Sequence, residues 1–288
     1  MRSLGIDVGV RKGLDLVLLD ESLAVVERRR RVDVADLGAA LDELDPDIVA
    51  IDAPPRWAFP QRGSRLTERE IRRFGIQVFG TPSEDRGDHP FYGWMKVGFR
   101  VFKTAEAHGF PRYAPPGSPL ETAIEVFPHA SAVVLAGCLP PKGTTAASAK
   151  REWRCRVLAA QGLGTVGLSS NDQVDAALAA LTGIHALKGR LFAPGDPREG
   201  VIVLPARSLP PPPYRRCAAP PAEEGQPHLP GFNPCACGDP SCASLTKREF
   251  APGHDAKRKS FLWKLAREGQ DALDELRRRG WEPPPEMR

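Results

Sequence analysis

The sequence predicts an α/β fold, a mixed five-stranded sheet with flanking helices, followed by a small C-terminal module rich in Cys and His. Within residues 1–205, short apolar runs alternate with segments whose apolar residues recur at helical spacing. Ten of the 30 prolines then fall between Pro205 and Pro234, a density that no helix or sheet core tolerates. We therefore expect a folded domain at 1–205, a proline-rich linker at 206–230 and a separate module at 231–288 that ends in a helix.

The first part of the domain is expected to contain three strands, a helix and a fourth strand. Apolar runs at residues 4–10, 14–19 and 24–32 are separated by short turns, which is typical of an antiparallel meander. Leucines at helical spacing predict a helix over residues 35–44. The nearly continuous apolar run at residues 47–53 indicates a central strand that is buried on both faces.

The second part is expected to be richer in helix. A long basic insertion occupies residues 56–120, before a fifth strand at 122–127, and it is expected to hold helices near 67–74 and 91–108. The segments that follow are three helical patterns and one short apolar run, at residues 130–136, 149–161, 171–188 and 201–204. This order of elements is that of a ribonuclease H-like domain.

Composition narrows the possible classes of protein. The longest apolar run, residues 130–139, is too short to span a bilayer, and no apolar signal-peptide region follows Met1. We therefore expect a cytoplasmic protein with no membrane partner. The net charge is only +4, so affinity for nucleic acid would have to come from local basic patches.

Four aspartates lie where this fold would bring them together. Asp7 interrupts the first strand, where a charged side chain is costly unless it is paired or binds a cation. Asp52 ends a strand that the fold would place beside the first, although an Asx turn would also explain it. Asp172 and Asp175 are three residues apart and share one side of a helix, although Asp172 alone would also suit a helix N-terminus.

Glu125 interrupts the fifth strand, either as an outward-facing residue or as a fifth carboxylate of the site. Carboxylates that converge repel one another, and divalent cations stabilise them together. Without Cys or His nearby, Mg²⁺ or Mn²⁺ is expected, and such ions suit hydrolysis of a phosphodiester. The expected catalytic residues are Asp7, Asp52, Asp172, Asp175 and Glu125, and the four aspartates are also the expected ligands of the metal.

Four short segments, at residues 5–9, 51–54, 125–128 and 172–176, resemble a domain-of-unknown-function family described as predicted nucleases with a ribonuclease H-like fold. The last of them is also similar to the final catalytic helix of RuvC-type Holliday-junction resolvases. The resemblance covers roughly residues 1–205 and implies acidic metal ligands at the four aspartates, with Glu125 nearby. The chain departs from the family's pattern at His129, where the family often has Glu.

Basic side chains of the insertion are interleaved with aromatic ones, as expected where phosphates are bound and bases stack. Arg65, Arg69 and Arg72 fall on one helix face. Solvated amphipathic helices, with their aromatic residues in the core, are the alternative. The resemblance also marks Arg65 and Lys150 as basic positions, and we expect Arg65, Arg69 and Lys150 to bind the phosphates of a substrate.

The C-terminal module carries a dense group of thiols that predicts a structural zinc site. Cys235, Cys237, Cys242 and His254 supply four ligands with the spacing C-x-C-x₄-C-x₁₁-H, which is not that of a standard zinc finger. Cys217 is an alternative fourth ligand, and free thiols in a tail are the alternative to any site. A bound Zn²⁺ would stabilise a segment that has little core of its own.

Taken together, these patterns favour a metal-dependent nuclease whose partner is DNA or RNA. One alternative is a non-catalytic adaptor that binds nucleic acid and recruits a protein partner through its C-terminal module. A second is a phosphotransferase of the actin-like or sugar-kinase type, which opens with a similar D-x-G strand. That class needs two such domains and a glycine-rich adenosine motif, and the sequence predicts one domain and no such motif.

Overall fold

The computed structural model describes residues 1–218 together with two short strands, β7 (Asn233–Pro234) and β8 (Leu245–Thr246), which pair antiparallel. The chain forms two compact units, Met1–Ala219 and Pro220–Arg288. The four expected zinc ligands lie outside the described residues.

The first unit extends beyond the expected boundary at residue 205. Tyr214 is buried, and Leu209 and Cys217 pack against the core of this unit, so the start of the expected linker at 206–230 belongs to the folded body. Cys217 also forms a disulfide with Cys138. While this bond is present, the sulfur of Cys217 is not a thiolate that could serve as the fourth ligand of a zinc ion.

A six-stranded mixed sheet forms the centre of the first unit. Its strands are β1 (Arg2–Val8), β2 (Leu14–Asp20), β3 (Val25–Val32), β4 (Ile48–Asp52), β5 (Ala123–Val126) and β6 (Ile202–Val203). The spatial order is β3-β2-β1-β4-β5-β6, in which β1, β2 and β3 form the expected antiparallel meander and β1, β4, β5 and β6 run parallel. The sheet has six strands rather than five because the short apolar run after residue 200 pairs with β5.

Helices pack on both faces of this sheet. They are α1 (Leu37–Leu44), α2 (Leu66–Arg73), α3 (Gly93–Ala107), α4 (Pro128–Ala136), α5 (Ala147–Ala160) and α6 (Asn171–Leu187). Helices α1 and α3 share one apolar cluster with the strands, whereas α4, α5 and α6 pack together in another. The two helices expected in the basic insertion are present as α2 and α3. Within the described part of the chain, no helix has the length and hydropathy required to cross a bilayer.

The close approach of α6 to β1 depends on small residues. A Cβ atom at Gly5 would lie only 1.9 Å from the backbone oxygen of Ala176, so only glycine fits this position in the strand. Ser170 caps the helix by accepting a hydrogen bond from the backbone N–H of Gln173. These contacts place the first turns of α6 directly over the end of β1.

Candidate metal centre

Three aspartates form a row across the neighbouring strands β2, β1 and β4. In the strand register, Asp7 is paired with Asp15 of β2 on one side and with Asp52 of β4 on the other. Paired residues of neighbouring strands project from the same face, so the three side chains share one face. Gly5 lies on that face too, and its contact with Ala176 identifies it as the face that α6 covers.

Helix α6 adds a fourth carboxylate to this row. Oxygen atoms of Asp7, Asp52 and Asp175 all lie within 4.8 Å of one another, and we call these three residues the acidic triad. Asp172 lies outside the triad and forms an ion pair with Lys12, at 3.3 Å between Nζ and the nearer carboxylate oxygen. The structure therefore brings together three of the four aspartates expected as ligands.

Burial and the charges of neighbouring aspartates raise the pKa of every carboxyl group in the triad. The pKa of Asp7 rises to about 8, chiefly through burial and then through the charges of Asp175 and Asp172. The pKa of Asp52 lies well above its usual value because of burial and the charge of Asp7. Burial raises the pKa of Asp175 to about 6, although Arg154 opposes the rise. Without a further cation, these carboxyl groups retain protons that an exposed aspartate would lose.

Arg154 is the part of the site that sequence reasoning missed. Its Nη1 atom lies 2.6 Å from both carboxylate oxygens of Asp175, and α5 supplies it from outside the sheet. Lys150 is exposed one turn earlier, on the same side of α5. Burial and the charges of Arg154 and Lys150 lower the pKa of His129 to about 4, so its imidazole is neutral at pH 7. The only sequence signal was a cluster of basic residues in α5, which resembles an ordinary solvated face.

Glu125 does not join the triad, contrary to expectation. It pairs with Ile51 rather than with Asp52, so its side chain projects from the opposite face of the sheet. There it accepts hydrogen bonds from Arg65, one of them at 2.6 Å from Nη1, and burial raises its pKa while Arg65 opposes the rise. Glu125 is therefore part of a buried ion pair rather than one of the clustered carboxylates.

Arg65 is not placed to bind a substrate phosphate, which corrects a second expectation. Only 1% of its side chain is exposed, and its guanidinium donates to Glu68, at 3.0 Å from Nε, as well as to Glu125. The residue is the N-cap of α2 and has extended backbone, so helical spacing counted from it misplaces its side chain. Arg69 and Lys150, the other two expected phosphate ligands, are exposed.

The triad has the chemistry of a site for a hard divalent cation. All of its donors are carboxylate oxygens, which Mg²⁺ and Mn²⁺ prefer. Among the described residues, Arg154 is the one cation within hydrogen-bonding distance of the triad, so one positive charge faces three carboxyl groups. The residues present therefore fit such an ion.

Comparisons with curated proteins and with solved structures gave no match. A family model does match residues 5–199, a range that includes the whole acidic triad and Arg154. This agrees with the resemblance of the four short segments to a domain-of-unknown-function family, and it carries no assignment of activity. The chain belongs to the family described as protein of unknown function (DUF429).

Proposed function

We propose that this protein is a metal-dependent nuclease with a ribonuclease H-like fold, which hydrolyses phosphodiester bonds of nucleic acid with Mg²⁺ or Mn²⁺ bound by the acidic triad. The observation that carries the proposal is the convergence of Asp7, Asp52 and Asp175 within 4.8 Å, from two strands and a helix. The strand order β3-β2-β1-β4-β5, with a meander before the parallel strands, supports the fold assignment.

The free-energy cost of burying three neighbouring carboxyl groups supports a role in binding a cation. Buried carboxylates that face each other are destabilising unless they are protonated or neutralised. An ion pair with Arg154 would suffice for Asp175 alone, but Asp7 and Asp52 have no such partner among the described residues. A chain that only needed a stable sheet could place apolar residues at these positions without that cost.

A divalent ion at the triad would lower the pKa of a bound water and offset the charge of a phosphate. The chain itself would contribute positive charge around that phosphate. Arg154 has a planar guanidinium suited to phosphate oxygens, and it becomes available once Asp175 is neutralised by another cation. Lys150 lies one turn away on the same helix and would attract the nucleic-acid backbone. We include Asp172 in the proposal as a further ligand of the metal ion. Its carboxylate would then leave its ion pair with Lys12 and bind the metal instead.

The proposal also includes the localisation, the partners and the zinc site that are expected from the sequence. The protein would act in the cytoplasm on DNA or RNA, and a structural Zn²⁺ would be bound in the second unit by Cys235, Cys237, Cys242 and His254. A partner protein could bind through that unit.

A cleavage assay tests the nuclease proposal. Single- and double-stranded DNA and RNA, labelled at one end, would be incubated with the full chain in Mg²⁺, in Mn²⁺ and in excess EDTA. We expect cleavage of at least one substrate with a divalent ion and none with EDTA. The Asp52→Asn variant should lose roughly a hundredfold or more in rate, because metal ions contribute several kcal/mol to such reactions. No cleavage under any condition, or full activity of this variant, would contradict the proposal.

A further inference from the structure

A second feature lies at the ends of β1 and β4, a cavity of about 300 Å³ that we call the aromatic pocket. Asp52 of the triad lines it, as does Val8, the residue that follows Asp7 in β1. A molecule in this pocket would therefore lie at the ends of the two strands that carry Asp7 and Asp52. Its lining also includes Phe79, Phe91, Trp94, Phe127 and Glu125.

The mouth of the pocket exposes two large aromatic side chains. Phe79 is 65% exposed and Phe91 is 49% exposed, and their rings meet edge to face with centroids 5.6 Å apart. Trp94 and Phe127 also line the pocket and are partly buried. Exposed aromatic residues that cluster around a cavity mark a surface that binds a ligand, since their contact with water is unfavourable.

The lining of the pocket also includes a buried carboxylate, that of Glu125. Only 5% of the Glu125 side chain is exposed, and each of its oxygens accepts one hydrogen bond from Arg65. A carboxylate oxygen accepts more than one hydrogen bond, so each of these oxygens retains capacity to accept another. The pocket therefore combines aromatic walls with an acceptor, which suits a flat ring that carries N–H groups.

We propose that the aromatic pocket holds one unpaired nucleobase of the substrate, next to the phosphate that is cleaved. This inference rests on the proposed function and specifies how that site would recognise its substrate. The volume lies at the lower end of the roughly 300–1,000 Å³ found for small-molecule sites, which is enough for one base and not for a stacked pair. Bases that are not paired commonly stack on Phe and Trp rings, and the exocyclic amine of a base can donate to a carboxylate. The substrate segment would therefore be single-stranded at the cleavage site.

Two small ligands that differ only in the base test this inference without any cleavage. Cytidine 5′-monophosphate and ribose 5-phosphate would each be titrated into the full chain in the presence of Mg²⁺, with binding followed by NMR or calorimetry. Stacking on aromatic residues contributes about 1–3 kcal/mol per base, so we expect the nucleotide to bind roughly 5- to 150-fold more tightly. Phe91→Ala and Phe79→Ala should reduce that ratio several-fold and leave the affinity for ribose 5-phosphate unchanged.

A matched control comes from the neighbouring cavity. Phe59 lines a separate cavity that lacks the triad, so Phe59→Ala should preserve the ratio. A ratio near one for the wild-type protein, or an equal loss in the Phe59 variant, would overturn the pocket assignment. A base-dependent affinity in a protein that cleaves nothing would instead contradict the nuclease proposal alone, whereas cleavage without a base-dependent affinity would contradict only the pocket.

Discussion

At the scale of single residues, Asp7 illustrates how position determines charge. Burial in the sheet and three neighbouring aspartates raise its pKa from 3.8 to about 8. The folded state therefore binds a proton that the unfolded chain has already lost across most of the pH range between these values. Because a state that binds more protons is favoured at low pH, the free energy of unfolding of the metal-free protein must fall as pH rises through this window.

The first prediction follows from that proton. In EDTA, the wild-type protein should have a lower Tm at about pH 8 than at about pH 6, with a slope approaching 1.4 kcal/mol per pH unit for each such group. Asp7→Asn has no carboxylate to desolvate, so it should raise the Tm at the higher pH and flatten the dependence. Thermal denaturation at a series of pH values measures this. A wild-type Tm that rises with pH and matches that of the variant would contradict the pKa assignment.

The second prediction concerns Arg154, which holds Asp175 and is proposed to reach the substrate. Arg154→Ala should lower cleavage in saturating Mg²⁺ by roughly 10- to 100-fold, since a hydrogen bond to a charged group contributes about 1.5–3 kcal/mol. Arg156→Ala is the control, because Arg156 lies on the same helix and pairs with the exposed Glu152. A rate for the Arg154 variant within twofold of the control would mean that this residue only neutralises the metal-free site.

At the scale of elements, the two-residue period of the strands decides which carboxylates meet. Asp7 and Asp52 are paired directly, whereas Glu125 is paired with Ile51 and projects from the other face. The composition of each strand predicted the strands themselves, but it contained no information on register, and a shift of one residue reverses the face. Arg65 was misplaced for a similar reason, because its position as an N-cap was not apparent from helical spacing.

The third prediction concerns the buried ion pairs that Arg65 forms with Glu125 and Glu68. Arg65→Met leaves the carboxylates of Glu125 and Glu68 buried without their partner, which should lower the free energy of unfolding by about 3–5 kcal/mol. Arg69→Met, an exposed position of the same helix, should change it by no more than about 0.5 kcal/mol. Denaturant titration of both variants measures the difference. A similar small effect for both would contradict the burial of Arg65.

At the scale of the whole molecule, the alternation of strands and helices was predictable but the end of the folded unit was not. The density of prolines correctly excluded helix from residues 206–218, the part of this segment that the structure describes. An extended segment can still pack, and Tyr214 lies beside Phe74 with the ring centroids 6.3 Å apart. Its backbone N–H also donates to the carbonyl of Phe74 at 2.9 Å. Packing of this kind depends on which surface the chain meets, and local composition does not specify that surface.

The fourth prediction tests the second unit by its metal content. The full chain, purified under reducing conditions without chelator, should contain about one zinc ion, as a site with four ligands requires. Cys237→Ser should lose the zinc while cleavage by the first unit changes little, and Cys155→Ser serves as the control because it replaces a cysteine of the first unit. Elemental analysis decides between these outcomes, and absence of zinc from the wild-type protein would contradict the site.

The acidic triad itself is tested most directly by binding of Mn²⁺, measured by electron paramagnetic resonance with no substrate present. We expect the wild-type protein to bind Mn²⁺ and Asp7→Asn to bind it at least about tenfold more weakly, because one of three clustered carboxylates is lost. Asp15→Asn removes an aspartate from the same face of the next strand but from outside the triad, so its affinity should stay within a few-fold of wild type. Equal affinities for the wild-type protein and the Asp7 variant would show that the triad is not a metal site.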